Sequence, residues 1–339
     1  MQVKDMMFDG HPHVLKAQQF SRSFAEKVFI PLSDRIQKML AVRSCSHLLD
    51  GKGMISLFTA ESTRTRGSEE IAFELLGGKV ILSVPGAKFS SAMGKAESLV
   101  DTVRVLSDYC ADVIVVRNDS DTEMPIAEIA ERIQTPIINA GDGADKDKQH
   151  PTQALLDLYT IHTYLGAIDG ISVAMIGDLK NGRTVRSLCY LLAKWKIGKL
   201  YLVSPPGLEI GTDIKEYLAK HNVDFAECND IRDVAGKVDV FYQTRTQTNL
   251  GSAAVDRNDP KNGFTIINGE VVRMAKEDAI IMHPLPCLGE IVRAEVDGDH
   301  RAVYIDGHKG KPSQLKCGLI TRMAGHLLVV SPEVACSLL

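Results

Sequence analysis

The chain has 339 residues, 45% of them hydrophobic and 24% charged, with 39 Lys plus Arg against 43 Asp plus Glu for a net charge of −4. That balance excludes an electrostatic binder of nucleic acid or membrane surface, and the length suits two domains or one large α/β domain. Seven scattered cysteines with no C-x-x-C pair read as reduced thiols, neither a disulfide frame nor a zinc site.

In chain order, GMISLFT (53–59) reads as a strand. SEEIAFELLGG (68–78) is helical, stopped by Gly77 and Gly78. KVILSV (79–84) is a strand, AESLVDTVRVLSDY (96–109) a helix, DVIVVR (112–117) a strand, PIAEIAERI (125–133) a helix and TPIINA (135–140) a strand. HPTQALLDLYTIHTYLG (150–166) is a helix lying between two such series. The second series runs through ISVAMIGD (171–178), a helix from Gly182 to Trp195, KLYLVSP (199–205), the helix DIKEYLAKH (213–221) and VDVFYQT (238–244). GFTIIN (263–268) and AIIMHPLP (279–286) are late strand candidates. CGLITRMAGHLLVVS (317–331) is a helix expected to pack back on the first domain. Strands alternating with helices imply parallel sheets covered on both faces. The expected fold is therefore α/β, with two doubly wound parallel-sheet domains joined by bridging helices. No apolar run reaches the length of a membrane span. The segment MQVKDMMFDGHPHV lacks the apolar core of a signal peptide, so a cytoplasmic location without membrane contact is expected.

The chemistry concentrates at strand ends. AESTRTRGSEE (60–70) follows the first strand and opens a helix, placing Ser62, Thr63, Arg64, Thr65 and Arg66 where unpaired backbone N–H groups and the helix dipole hold anions. Hydroxyls add donors, and arginine forks suit phosphate or carboxylate. The bland alternative is a Ser or Thr N-cap with solvent-exposed arginines. GDLKNGRT (177–184) imitates a nucleotide phosphate loop but has Arg183 where the lysine belongs, and VDVFYQT ends in no aspartate for magnesium. Arg117 closes DVIVVR. His150 and Gln153 share one face of the helix begun by HPTQ. Arg245 and Gln247 follow VFYQT, and His283–Pro286 form a proline-stiffened turn. Arg64, Arg117, Arg183 and Arg245, at four strand ends, are expected to converge on one cleft between the domains and bind polyanionic ligands. No cluster of Cys, His, Asp or Glu shows metal-ligand spacing, and no nucleophile elbow is present.

In this order and spacing, STRTR, HPTQALLDL, GDLKNGRT, TRTQ and MHPLPCLGEI resemble the aspartate and ornithine carbamoyltransferase family over about residues 15–330. The resemblance implies a carbamoyl-phosphate-binding domain (1–150 plus 310–339) and an aspartate-binding domain (151–309), assembled as a homotrimer. It leaves regulatory chains open as further partners. Carbamoyl phosphate would be held by Ser62, Thr63, Arg64, Thr65, Arg117, His150 and Gln153 and by the carbonyls of Pro284 and Leu285. Arg64, Thr65, Arg117 and His150 would be catalytic. Arg183, Arg245, Gln247 and Lys95 would hold L-aspartate. Ser91 and Lys95, in SSAMGKAES (90–98), would reach in from a neighbouring subunit. No metal or organic cofactor is implied. The proline in HPLP, where ornithine-specific members carry cysteine, points to aspartate. Other amino-acid acceptors, or a silent assembly subunit, are the alternatives. The sequence departs from the family pattern at three places: Ala60 for a glutamate, Asn249–Leu250 for a charged pair, and Cys287 for an arginine. Glu61 stands one place from the missing glutamate. Weak cooperativity and weak aspartate affinity are expected from these changes.

Overall fold

The computed structural model describes residues 12–120, 122–143, 149–245 and 265–339. Two units divide the chain: residues up to Tyr159 with Gly318–Leu339, and Thr160–Cys317. In the first, β1 (Gly53–Phe58), β2 (Lys79–Val84), β3 (Val113–Arg117) and β4 (Ile137–Asn139) form a wholly parallel sheet in the order β2-β1-β3-β4. Central β1 is buried at all six positions, as a continuous apolar run between two neighbours requires. Edge strand β2 has nearly as apolar a sequence, yet Lys79, Ile81 and Ser83 face outward. One face of this sheet packs Ile55, Leu57, Ile114, Val116 and Ile137 against Leu99 and Val103 of the helix Leu99–Ser107 and Ile126 and Ile129 of the helix Ile126–Ala130.

The second unit holds β5 (Ser172–Ile176), β6 (Lys199–Val203), β7 (Phe225–Cys228), β8 (Val240–Gln243) and β9 (Ile280–Met282), again all parallel, in the order β7-β6-β5-β8-β9. Its core joins Ala174, Ile176, Phe241 and Ile281 to Ile267, Val271 and Val272. Of GFTIIN, the described residues make no strand: Ile267 pairs only with Ile291 in an isolated bridge. β7 and the helix Ile30–Ala41 had no counterpart among the elements read from sequence. No helix among the described residues is long and apolar enough to cross a membrane.

A buried ion cluster fastens the helix Arg64–Leu75 to the C-terminal helix Gln314–Val330. Glu69 is 1% exposed and accepts from Arg322 Nε at 2.9 Å. His326 Nε2 stands 3.1 Å from the other carboxylate oxygen, at ion-pair distance but off the line a hydrogen bond needs. The His326 ring meets Phe73 edge-on, with centroids 5.2 Å apart. Burial pushes the Glu69 carboxyl up, but Arg322 and His326 outweigh it and hold the group below its ordinary range. A carboxyl that titrates lower when folded stabilises fully above its unfolded value and loses that contribution as pH falls. Stability measured by urea unfolding is therefore expected to decline as pH drops below about 4.5. Arg322→Ala, which leaves Glu69 buried beside His326 alone, is expected to cost about 3–5 kcal/mol at neutral pH.

Candidate active site

In the first sheet the chain leaves β1 for β2 on one side, then returns to β3 on the other. Strands that part in this way leave a crevice at their carboxyl ends, the usual ligand position in open α/β sheets. Two hydrogen bonds stitch its floor: Thr59 N–H donates to Arg117 O at 3.0 Å, and Asp119 N–H donates to Thr59 Oγ1 at 2.9 Å. Ser62–Thr65 rise from β1 at this edge. Thr63, at the cap position of the Arg64–Leu75 helix, already has helical φ and ψ of −72° and −46°, and its hydroxyl caps nothing. No acid stands in the first turn. Thr63 is therefore no side-chain cap, and the positive end of the helix dipole lies at the carboxyl edge of the sheet. Thr63 and Arg64 are exposed, while Ser62 and Thr65 are half-buried. Arg66 does not join them: its Nη1 is committed to Glu70 at 3.2 Å and to Ser83 of β2 at 3.1 Å.

Arg117 ends β3, in register with Phe58 of β1. Its Nε and Nη2 grip Asp119 at 2.7 and 2.9 Å, a bidentate pair that uses two of its five N–H groups and fixes the fork. Below it, Asn118 donates to buried Asp142 at 3.0 Å. Ahead of the helix Pro151–Leu165, buried Gln149 accepts from Ala17 N–H at 2.9 Å, anchoring the approach to His150. His150 is buried, and its Nδ1 lies 3.3 Å from the Thr152 hydroxyl. Gln153 donates through Nε2 to buried Asp157 at 3.0 Å, which orients its carboxamide. Asp119 and Asp157 were missed by sequence reasoning; their spacings of two from Arg117 and four from Gln153 were the available signals.

The second sheet repeats the device on its own scaffold, with its reversal between β5 and β8. Thr244 N–H and Oγ1 both donate to Ile176 O, at 2.8 and 2.9 Å. Gly177 has φ +109°, and a Cβ there would lie 2.4 Å from Thr244 O. Arg245 follows, half-buried. In the loop before Arg183, buried Asp178 accepts from Asn181 N–H at 3.0 Å and from its Nδ2. Leu179 and Lys180 N–H both donate to Leu208 O at 3.1 Å. These amides serve the loop itself, so it is no nucleotide phosphate cradle. Arg183 opens the helix Arg183–Leu192.

At the end of β9, buried His283 donates its N–H to Gln314 Oε1 at 2.9 Å and accepts from Leu285 N–H through Nδ1 at 2.8 Å. Pro284 and Leu285 are half-buried on this turn, and Leu285 takes φ 59°. Ser91 and Lys95 are exposed around the short turn Met93–Lys95. Gln247, Asn249 and Leu250 lie outside the described residues. Each unit thus carries its own set, Ser62–Thr65 with Arg117, His150 and Gln153 in the first, and Arg183, Arg245, Pro284 and Leu285 in the second.

Comparison with known proteins agrees with this division. Residues 12–163 match the carbamoyl-P binding domain of aspartate/ornithine carbamoyltransferases, and residues 169–324 match the Asp/Orn binding domain. The chain belongs to the aspartate/ornithine carbamoyltransferase family. It is 44% identical to a chloroplastic aspartate carbamoyltransferase of Arabidopsis thaliana over 92% of this chain and 76% of that protein. Aspartate transcarbamoylase of Trypanosoma cruzi, solved with N-(phosphonacetyl)-L-aspartic acid, superposes with a TM-score of 0.83 at 37% identity, covering 94% of this chain and 95% of that one. The catalytic subunit of the M. jannaschii enzyme gives 0.79 at 37% identity, over 94% and 98%.

One feature of this carbamoyltransferase-family chain corrects the sequence reading. His283, Cys287 and Glu290 do approach as a metal-type cluster, one ligand atom from each lying within 4.8 Å of the others. The H-x3-C-x2-E spacing was the signal.

The stitched ends of β5 and β8 yield a direct test. Gly177→Ala, which meets both a positive φ and the Thr244 carbonyl, is expected to cost about 1–3 kcal/mol in urea unfolding. Gly207→Ala, with φ +87° but nothing within 4 Å, is expected to lose less. Equal losses would show that the close approach contributes nothing.

Proposed function

We propose that the protein transfers the carbamoyl group of carbamoyl phosphate to the amine of L-aspartate, giving N-carbamoyl-L-aspartate and phosphate, a step of pyrimidine biosynthesis. The observation that carries the proposal is the uncapped helix end at Ser62–Thr65 in a chain whose two halves match the two domains of this family. The phosphate lies on Ser62, Thr63, Arg64 and Thr65, with Arg117 beside it. His150 and Gln153 address the carbamoyl group, and the carbonyls of Pro284 and Leu285 accept from its NH2. Arg183, Arg245 and Gln247 receive the two aspartate carboxylates.

The neutral amine attacks the carbonyl carbon, and negative charge grows on the carbonyl oxygen, where Arg64, Thr65 and His150 stabilise it. The carbon–oxygen bond to phosphate then breaks. The departing phosphate takes the amine proton, so the enzyme supplies orientation and charge stabilisation with no covalent intermediate. In this reading carbamoyl phosphate, whose phosphate suits the helix end and the Arg64 and Arg117 guanidinium groups, binds first.

The working form in this reading is a homotrimer in which Ser91 and Lys95 complete a neighbour's site. Support comes from edge strand β2 and its surroundings, where Ile71, Ile81 and Phe89 are 54%, 44% and 80% exposed. The seven free cysteines support a reducing compartment, the cytoplasm. Asn249, Leu250 and Cys287 stand in place of charged family residues and favour, as a second reading, a different amino-acid acceptor.

A colorimetric assay for carbamoyl-aspartate, run beside an acceptor panel, decides between the two. Arg64→Ala is expected to lower kcat about 10²–10³-fold while far-ultraviolet circular dichroism is unchanged. Product only with another amine would refute the aspartate reading. Co-expression of Arg64→Ala chains with Lys95→Ala chains is expected to restore activity that neither variant has alone. Failure to do so in a confirmed mixed oligomer would refute the shared site.

A further inference from the structure

The turn after β9 holds side chains that carbamoyl transfer leaves unused. His283 and Glu290 are buried, Cys287 is half-buried, and one ligand atom from each lies within 4.8 Å of the others. Glu290 is held on one side only. Its Oε2 accepts from Leu288 N–H at 2.6 Å, whereas its Oε1 is buried with no hydrogen-bond partner. A buried carboxylate oxygen left without a donor is costly, and a cation relieves that cost. Imidazole nitrogen, thiolate sulfur and carboxylate oxygen are together a donor set that zinc accepts. Nearby Asp297 does not compete for the ion, since it is engaged by Arg293 and by the Tyr304 hydroxyl.

We propose that His283, Cys287 and Glu290 form an inhibitory site for a thiophilic divalent cation such as Zn2+, with water completing its shell. Inhibition follows from the state of the imidazole. Leu285 N–H donates to His283 Nδ1 at 2.8 Å, so the neutral ring carries its proton on Nε2. A metal needs a ring lone pair. It obtains one at Nδ1 only by displacing the Leu285 N–H. It obtains one at Nε2 only if the proton moves to Nδ1, where it would face that same N–H. Either route breaks the hydrogen bond that shapes the Pro284–Leu285 turn. The cation and carbamoyl phosphate therefore exclude one another, a consequence that rests on the proposed function; the metal site itself does not.

Cd2+ serves as a spectroscopic probe, because thiolate coordination gives an ultraviolet sulfur-to-metal charge-transfer band. The native protein is expected to show the band. Cys287→Ser and Glu290→Gln are each expected to weaken Cd2+ binding at least about tenfold, and Cys287→Ser to keep its basal turnover. Zn2+ is expected to inhibit competitively with carbamoyl phosphate, and a chelator to reverse it. No band, or one unchanged in Cys287→Ser because another cysteine supplies it, would overturn the site. A band lost in Cys287→Ser but indifferent to carbamoyl phosphate, in protein that turns over, would overturn the exclusion. A Cys287-dependent band in protein without carbamoyl transfer would support the metal site and count against the proposed function instead.

Discussion

A helix that begins without a cap, at the point where two parallel strands diverge, is the constraint from which the rest of the first unit follows. Four backbone N–H groups at a helix start need partners, and Thr63 supplies none from its side chain. The surrounding structure accepts this because the strand ends are tied below it by Thr59, Arg117 and Asp119, and because the helix is gripped further along through Glu69 and Arg322. The open end is therefore held in place by contacts it does not itself make. Rigid supports around a helix end with no side-chain cap are what electrostatic stabilisation of an anion requires.

The same economy appears in the second unit, where Thr244 joins β8 to β5 and Gly177 allows the close approach. There the backbone amides of Leu179, Lys180 and Asn181 have protein partners, and Arg183 and Arg245 stand at the strand ends. This contrast matches the chemistry assigned to each unit. Backbone amides at a helix end suit a phosphate, while planar guanidinium forks suit the two carboxylates of an amino acid.

Much of this was legible in the residues. Central strands such as GMISLF and VIVVR announce themselves because burial on both sides leaves only apolar choices. The helix Ile30–Ala41 was not read from the sequence; it carries Pro31 in its first turn and continues from a π-helical stretch at Ala25–Phe29. β7, FAEC, is too short and too exposed to show a pattern. GFTIIN has strand-like residues, but Ile267 pairs only with Ile291 and with no strand of the sheet. Among site residues, the arginines at strand ends were visible by position. The partners that set their orientation were not, since Asp119 and Asp157 carry no signal beyond spacing. Arg66 shows the opposite error: its place in STRTR suggested a ligand, whereas Glu70 and Ser83 hold it to structure. His283 was read as part of a turn and Cys287 as a departure from the family pattern; the fold puts their donor atoms beside that of Glu290.

The central claim is that an anion site stands ready in the first unit before any acceptor arrives. Calorimetric titration of the protein with carbamoyl phosphate in the absence of any amino acid tests it most directly. The account predicts saturable binding, weakened by added salt, together with aspartate binding that is detectable only after the first ligand. Saturable aspartate binding in a protein that gives no heat with carbamoyl phosphate would contradict it.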